Sequence, residues 1–180
     1  STTSNKLTLQ AGSSIYIFNA RINLPSGSLE LLAGTTIAQS GPSSVGSSAI
    51  YANTLILGSS DSGASKPAVT LTAADNYINN LESSNLSSLS LKNAQALSVN
   101  SNGIAATGAV NLTSTSSITL NGNITTSSAT GNVLLKAAGN VGIASSKSIT
   151  TNGGSVTLWA DSDGNGTGYT QLYTNAAINS

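Results

Sequence analysis

The stretch GNVLLKAAGNVGIASSKSITTNGGSVTLWA, residues Gly131 to Ala160, decides the fold. Val133 and Leu135 form an apolar pair with one residue between them, a small-residue corner follows, and a second apolar pair stands at Val141 and Ile143. Another corner and Ile149 come next, and the cycle restarts at Val156 and Leu158. Alternation over a few residues marks a short strand with one face inward. A restart at a fixed interval between about 20 and 50 residues marks stacked structural repeats.

The same apolar pair recurs at Leu7/Leu9, Leu29/Leu31, Val69/Leu71, Leu89/Leu91, Val110/Leu112, Val133/Leu135 and Val156/Leu158. Successive starts keep nearly one interval, except that the step from Leu29 to Val69 is about twice the others. The doubled step reads as two turns, with the missing start near Ile50 and Leu55/Leu57 competing for it. A second apolar position follows at Ile15, Ile37, Tyr77 or Ile78, Leu97, Ile118 and Val141, and a third at Ile22, Val45, Ile104, Ile124 and Ile149. Corners align too, with Ala11, Ala33, Ala73, Ala137 and Ala160 in one phase and Gly27, Gly108, Gly131 and Gly154 in another. Glycine at a tight corner is expected to supply a positive φ.

Three short inward-pointing segments per repeat describe a parallel β-helix with three sides and about eight coils of roughly 20–23 residues. One coil cannot bury its apolar face alone, whereas stacked coils make a continuous core. A β-sandwich shares the local alternation but predicts no pair returning in register at such a fixed step. Residues 1–180 are therefore read as one domain, with 161–180 an irregular loop and terminal segment.

Composition narrows the chemistry. Charged residues are only 7% of the chain, against roughly a quarter in ordinary soluble domains, and six Lys plus Arg balance six Asp plus Glu. So few scattered cations cannot neutralise a run of phosphates, so nucleic acid is not an expected partner. The chain has no Cys and no His, which removes disulfides, thiolate metal sites and the commonest general base. No apolar run approaches the length of a membrane span and no signal-like segment opens the sequence, so no membrane insertion is expected.

The segment ITTNGGSVTLWADSDGNGTG (149–168), with the phrases GNV, SSITLNGNITT and GAVNLTS, resembles the haemagglutinin-type repeat region of filamentous-haemagglutinin-like bacterial exoproteins and adhesins. The likeness covers residues 7 to 160 and lies in composition and period. It implies a right-handed β-helix displayed outside the cell, on the bacterial surface, as part of a longer stalk that serves adhesion, biofilm or fibre structure. The lack of Cys agrees with that family's passage through an outer-membrane pore in an unfolded state.

Asp161-Ser-Asp163-Gly-Asn165-Gly166 matches the first half of an EF-hand loop, with oxygen ligands at positions 1, 3 and 5 and Gly at 6. Position 12 is Leu172 instead of Glu, so calcium on Asp161, Asp163 and Asn165 competes with a plain surface corner, and no other cofactor is expected. Lys92 and Lys136 share one phase of the repeat, and Trp159 shares it with them, an outward column able to meet an anionic glycan or a sugar ring. Glu30, Asp61, Asp75 and Glu82 fall in different coils and phases, which leaves no carboxylate pair for polysaccharide cleavage. The outward residues Thr8, Glu30, Thr70, Ser90, Asn111, Leu134 and Thr157 are too mixed for an ordered ice-binding face.

A solenoid's ends present unpaired backbone and apolar faces. No capping helix is legible, so the chain is expected either to continue a longer rod or to stack end to end on copies of itself. The expected function is a non-enzymatic structural module of an extracellular filament. A module that binds a glycan or surface through its lateral face is the alternative, with an ice-binding solenoid and a degenerate polysaccharide-acting enzyme further off.

Overall fold

In the computed structural model, which describes residues 5–40, 49–61 and 65–180, the chain is all-β. Among the described residues seventeen strands join in one sheet, and the pairings between them are parallel. The result is a β-solenoid of about six turns.

The register gives the core its order. One ladder of hydrogen-bonded partners runs Ile15, Ile37, Val69, Leu89, Val110, Val133, Val156. Another runs Leu7, Leu29, Leu55, Leu81, Val99, Leu120, Ile143, Leu172. A further one joins Ile104, Ile124, Ile149 and Ile178. Inside the stack Leu29, Leu57, Leu112, Ile124 and Leu135 are completely buried, as apolar side chains alternating with outward polar ones dictate.

Two expectations from spacing need correction. Leu29/Leu31 and Val69/Leu71 do not share a ladder: Leu29 stacks on Leu55, and Val69 stacks on Ile37. Leu55/Leu57 therefore fill the place assigned to a missing start, while Ile50 lies on the same strand over Ile22. The doubled interval is a change of wall, because coils here are longer: the steps from Leu29 to Leu55 and from Leu55 to Leu81 both exceed the step from Val133 to Val156. Longer coils also bring the turn count below eight. Val45, placed on the third wall by its spacing, lies outside the described residues.

The corner glycines correct the second expectation. None of Gly27, Gly108, Gly131 and Gly154 has a positive φ. A Cβ on Gly154 would instead lie 2.6 Å from the Gly131 carbonyl oxygen, and one on Gly108 would lie 2.8 Å from that of Ser87. Gly27, Gly108 and Gly154 allow close stacking of backbone on backbone, and Gly131 clears the Thr126 side chain.

Residues 161–180 are more regular than their composition indicates. After the 161–168 loop, Thr170–Leu172 pairs with Val141–Ile143 and Ala177–Asn179 pairs with Ser148–Thr150, so the segment extends the same ladders.

Polar residues enter the interior where the ladder breaks. Between the partners Leu71/Leu91 and Asn76/Asn93 one strand spends five residues against the other's two, a bulge that strands backbone groups. Asn76, fully buried, supplies what is missing. Its Oδ1 accepts from Gln39 Nε2 (2.6 Å) and from the Ile50 N–H (3.0 Å), and its Nδ2 donates to the Leu71 and Lys92 carbonyls (both 3.0 Å). One coil on, buried Asn93 accepts from the Ile78 N–H (2.9 Å) and donates to the Ile78 and Gln95 carbonyls (2.9 and 2.8 Å). Ser114, stacked on Asn93, donates in turn to Gln95 O. Buried amides are tolerable here because their bonds are made.

Candidate functional site

The 161–168 loop springs from a stack anchored by the Asp161 and Ser162 N–H groups, which donate to Gly139 O and Ala137 O. Asp161 sits at φ 52°, and both of its carboxylate oxygens accept from the Gly166 N–H (3.0 and 3.1 Å). Asp163 accepts from Asn165 Nδ2 (2.8 Å), and Asn165 Oδ1 accepts from the N–H and hydroxyl of Thr167. The oxygens proposed as calcium ligands thus hold the loop's own donors, a self-stitched Asx-type turn. Leu172 is drawn away into the strand beside Ile143. Among the described residues no three His, Cys, Asp or Glu gather in a metal-sized group.

The lateral column is where spacing put it. Lys92, Thr113, Lys136 and Trp159 stack one above another. Lys92 makes an ion pair with Asp75 at 2.6 Å, and Lys136 Nζ stands 4.2 Å from the Trp159 ring centroid. Each cation therefore has a partner within the chain, and one face of Trp159 is covered.

The acids are placed differently from expectation. Glu30 and Glu82 share a phase, with Ile56 between them on the ladder. This follows from the change of wall. Each is held separately: Glu30 accepts from Lys6 Nζ and Thr8 Oγ1 (both 2.9 Å), and Glu82 accepts from Asn102 Nδ2 (2.8 Å). Burial works to raise the Glu30 pKa, but its bonds to Lys6 and Thr8 and the lysine's charge outweigh it and leave the pKa lowered.

Asp61 is the most strongly perturbed acid. Its carboxylate accepts from the Ser59 and Ser65 hydroxyls (2.6 and 2.7 Å) and from the Ser65 N–H (2.9 Å), which lowers its pKa to about 2. A depressed folded-state pKa means that the stabilisation from these bonds is whole above the unfolded carboxylate value and is lost as pH falls through about 2. A carboxyl-detected NMR titration is expected to find the Asp61 midpoint near 2 and to see it return toward an ordinary value in Ser59→Ala/Ser65→Ala. An unshifted midpoint in the native chain contradicts these bonds.

Sequence reasoning missed two features of the lateral surface. Tyr51 and Tyr77 stack with centroids 4.6 Å apart and planes 6° from parallel, and Arg21 lies 4.1 Å from the Tyr51 ring. The signal was present, because Tyr51 and Tyr77 are separated by the same step along the chain as Leu55 and Leu81. Ile78, not Tyr77, is the inward member of that strand. The second feature is a recess beside Ser83, lined by Ile56, Leu57, Glu82, Ser84 and Asn102.

No protein-family model, curated protein or solved structure matches this chain. The likeness to haemagglutinin-type repeats rests on the residues quoted above and on their period.

Proposed function

We propose that this chain is a non-enzymatic structural module of an extracellular bacterial fibre, joined to the next module through its open solenoid ends. The observation that carries this reading is where the exposed apolar residues lie. Interior rungs are sealed, whereas Leu7 and Phe18 at one end and Trp159, Leu172 and Ile178 at the other are 38–64% exposed. Among the described residues, no strand precedes Lys6–Ala11 or Ser14–Phe18 on their ladders, and none follows Val156–Trp159, Thr170–Leu172 or Ala177–Asn179.

These two open rungs belong to the same ladders. Continuing one ladder sets Val156 and Leu158 against Ile15 and Ile17 of the next module and brings Phe18 to the face of Trp159 that Lys136 leaves free. Continuing another sets Leu172 against Leu7. Such a junction is heterologous and does not close, which makes filaments. A weakly charged exterior offers little repulsion to that growth, with six Lys plus Arg and six Asp plus Glu in 180 residues. Extracellular placement comes from the resemblance, and a chain free of Cys agrees with the unfolded passage through a pore that the resemblance implies.

Negative-stain electron microscopy of the purified chain over a concentration series is expected to show rods that lengthen into filaments. Leu172→Asp combined with Ile178→Asp is expected to hold them as single rods with an unchanged β spectrum. Native rods that stay single up to about millimolar concentration, where even weak contacts populate, overturn the reading.

A further inference from the structure

The dipeptide Asn-Gly occurs at Asn102, Asn121, Asn152 and Asn165. It is the link at which a peptide chain most readily attacks itself. Glycine leaves its nitrogen unshielded and its torsions free, so that nitrogen is able to close on the Cγ of the preceding asparagine. In a folded chain the reaction needs freedom of those few atoms, and the solenoid treats the pairs differently.

Three of them are held. Leu81 pairs with Val99 and Ser83 pairs with Ile104, so residues 100–103 bow outward. Within that bow Gly103 is buried at a φ of 75°, a Cβ on it would lie 2.3 Å from Asn123 O, and Asn102 Nδ2 donates to Glu82 (2.8 Å). Gly122 is also buried, with a would-be Cβ 1.8 Å from Asn100 O, and Asn121 Nδ2 donates to Ser98 Oγ (2.9 Å). Gly166 has open space around it, but its N–H donates to both carboxylate oxygens of Asp161 (3.0 and 3.1 Å). The Asn165 side chain is engaged at both ends, with Asp163 and with Thr167.

Asn152-Gly153 escapes these restraints. Both residues are exposed, nothing lies within 4 Å of a Cβ on Gly153, and its φ is 86°. The Gly153 N–H has no hydrogen-bond partner among the described residues. Asn152 makes one exposed bond, from Nδ2 to Ser127 O at 3.1 Å, and such a surface bond adds little net stability. The flanking residues, by contrast, are buried and stitched: the Thr151 N–H donates to Asn179 O (2.7 Å) and Thr151 Oγ1 donates to Gly154 O (2.6 Å). The corner therefore rearranges at 152–153 without opening the rungs on either side.

We propose that Asn152 is a self-modifying site at which the folded chain deamidates. The Gly153 backbone nitrogen, its proton taken by solvent base, attacks Asn152 Cγ. The new C–N bond closes a succinimide, and the side-chain nitrogen takes a proton from water and leaves as ammonia. Water then adds to one of the two imide carbonyl carbons and breaks its bond to nitrogen. Opening at Cγ gives aspartate with the main chain unchanged, and opening at the Asn152 carbonyl carbon gives isoaspartate. Either product places a carboxylate where a neutral amide stood, so a chain of zero formal charge becomes negative. In the isoaspartyl product the main chain gains one carbon between Ser148–Thr150 and Val156–Trp159.

The test is incubation of the chain in ¹⁸O-labelled water at mildly alkaline pH, once folded and once unfolded in guanidinium chloride, with peptide mapping of each Asn-Gly pair over time. In the unfolded chain all the pairs are expected to take up label at comparable rates, because the dipeptide is the same. In the folded chain Asn152 is expected to take it up, as aspartate and isoaspartate, at least about tenfold faster than Asn102, Asn121 or Asn165, which must open locally first. Anion-exchange chromatography is expected to show an acidic species growing in at the Asn152 rate. Asn152→Gln keeps the amide but requires a larger, slower-forming ring, and as a surface change it is expected to leave Tm unaltered while that species disappears. Folded-state labelling at Asn152 no faster than at the other pairs overturns the proposal, and so does an acidic species that persists in Asn152→Gln.

Discussion

Asn76→Ala is expected to destabilise the fold by about 4 kcal/mol, more than an ordinary core truncation at a sealed rung. The side chain removed is fully buried and bonds to groups on three neighbouring coils. Without it the Ile50 N–H and the Leu71 and Lys92 carbonyls lose the bonds it makes to them, and the buried Gln39 amide loses its bonds to Asn76. Each buried polar group left unpaired costs roughly 1–3 kcal/mol, and water recovers part of it at the bulge. At roughly 2–4 °C per kcal/mol for a chain of this size, the unfolding midpoint is expected to fall by about 10 °C. Amide exchange should speed up first at Ile50. Asn76→Asp keeps the acceptor and loses both donors, so it is expected to fall between the native chain and Asn76→Ala at neutral pH only if its charge finds a donor. A loss under about 1 kcal/mol in Asn76→Ala would show that the bulge satisfies itself.

Gly122→Ala carries the other large effect. The new methyl carbon would fall 1.8 Å from Asn100 O and within 2.8 Å of the Gly103 N and Cα, all of them backbone atoms. Neither a side-chain rotation nor a small slide relieves that overlap, so the bow at 100–103 must move. Overpacking of this kind costs roughly 1–3 kcal/mol and more where backbone is the obstacle, and about 3 kcal/mol is expected. Gly12→Ala is the control, because nothing lies within 4 Å of its Cβ. It is expected to be neutral or to gain about 0.4–1 kcal/mol through the unfolded chain. Urea titrations of the two variants decide it, and equal midpoints would refute the close approach.

The sequence made some of this legible and concealed the rest for a definite reason. Val110, Val133 and Val156 could be placed in adjacent layers because coils of equal length repeat there with no insertion between them. The column Lys92, Lys136, Trp159 came from the same regularity. Leu29/Leu31 and Val69/Leu71 could not be assigned to different walls, because a strand facing inward on any wall writes the same apolar-x-apolar pair. Only the phase between walls distinguishes them, and the longer coils that carry Leu29, Leu55 and Leu81 shift that phase. Glycine marked the corners correctly but for the wrong cause, since spacing records that a side chain is excluded and not whether torsion or a neighbouring carbonyl excludes it.

At the candidate sites the outward phases of Lys92, Lys136 and Trp159 were readable, whereas their partners were not. Asp75 reaches Lys92 from a bulge whose size no period predicts. The recess at Ser83 is likewise the product of a register fault. Asp161, Asp163 and Asn165 fitted a metal-loop spelling, but a short Asp/Asn/Gly segment writes the same letters when it satisfies its own turn.

Parallel pairing of each coil with only the coils beside it also governs how the rod answers a pull along its length. Tension drawn through the termini peels the outermost coil without loading the rest, so extension proceeds in separate steps. A coil such as the one from Val133 to Val156 releases about 8 nm of slack when it lets go. The asparagine clamp at Asn76 ties Gln39 and Ile50 to the carbonyls of Leu71 and Lys92, so the coils it spans yield together and late. On the reading proposed above, a stalk assembled from such rods would lengthen under shear in small increments while its middle stays wound.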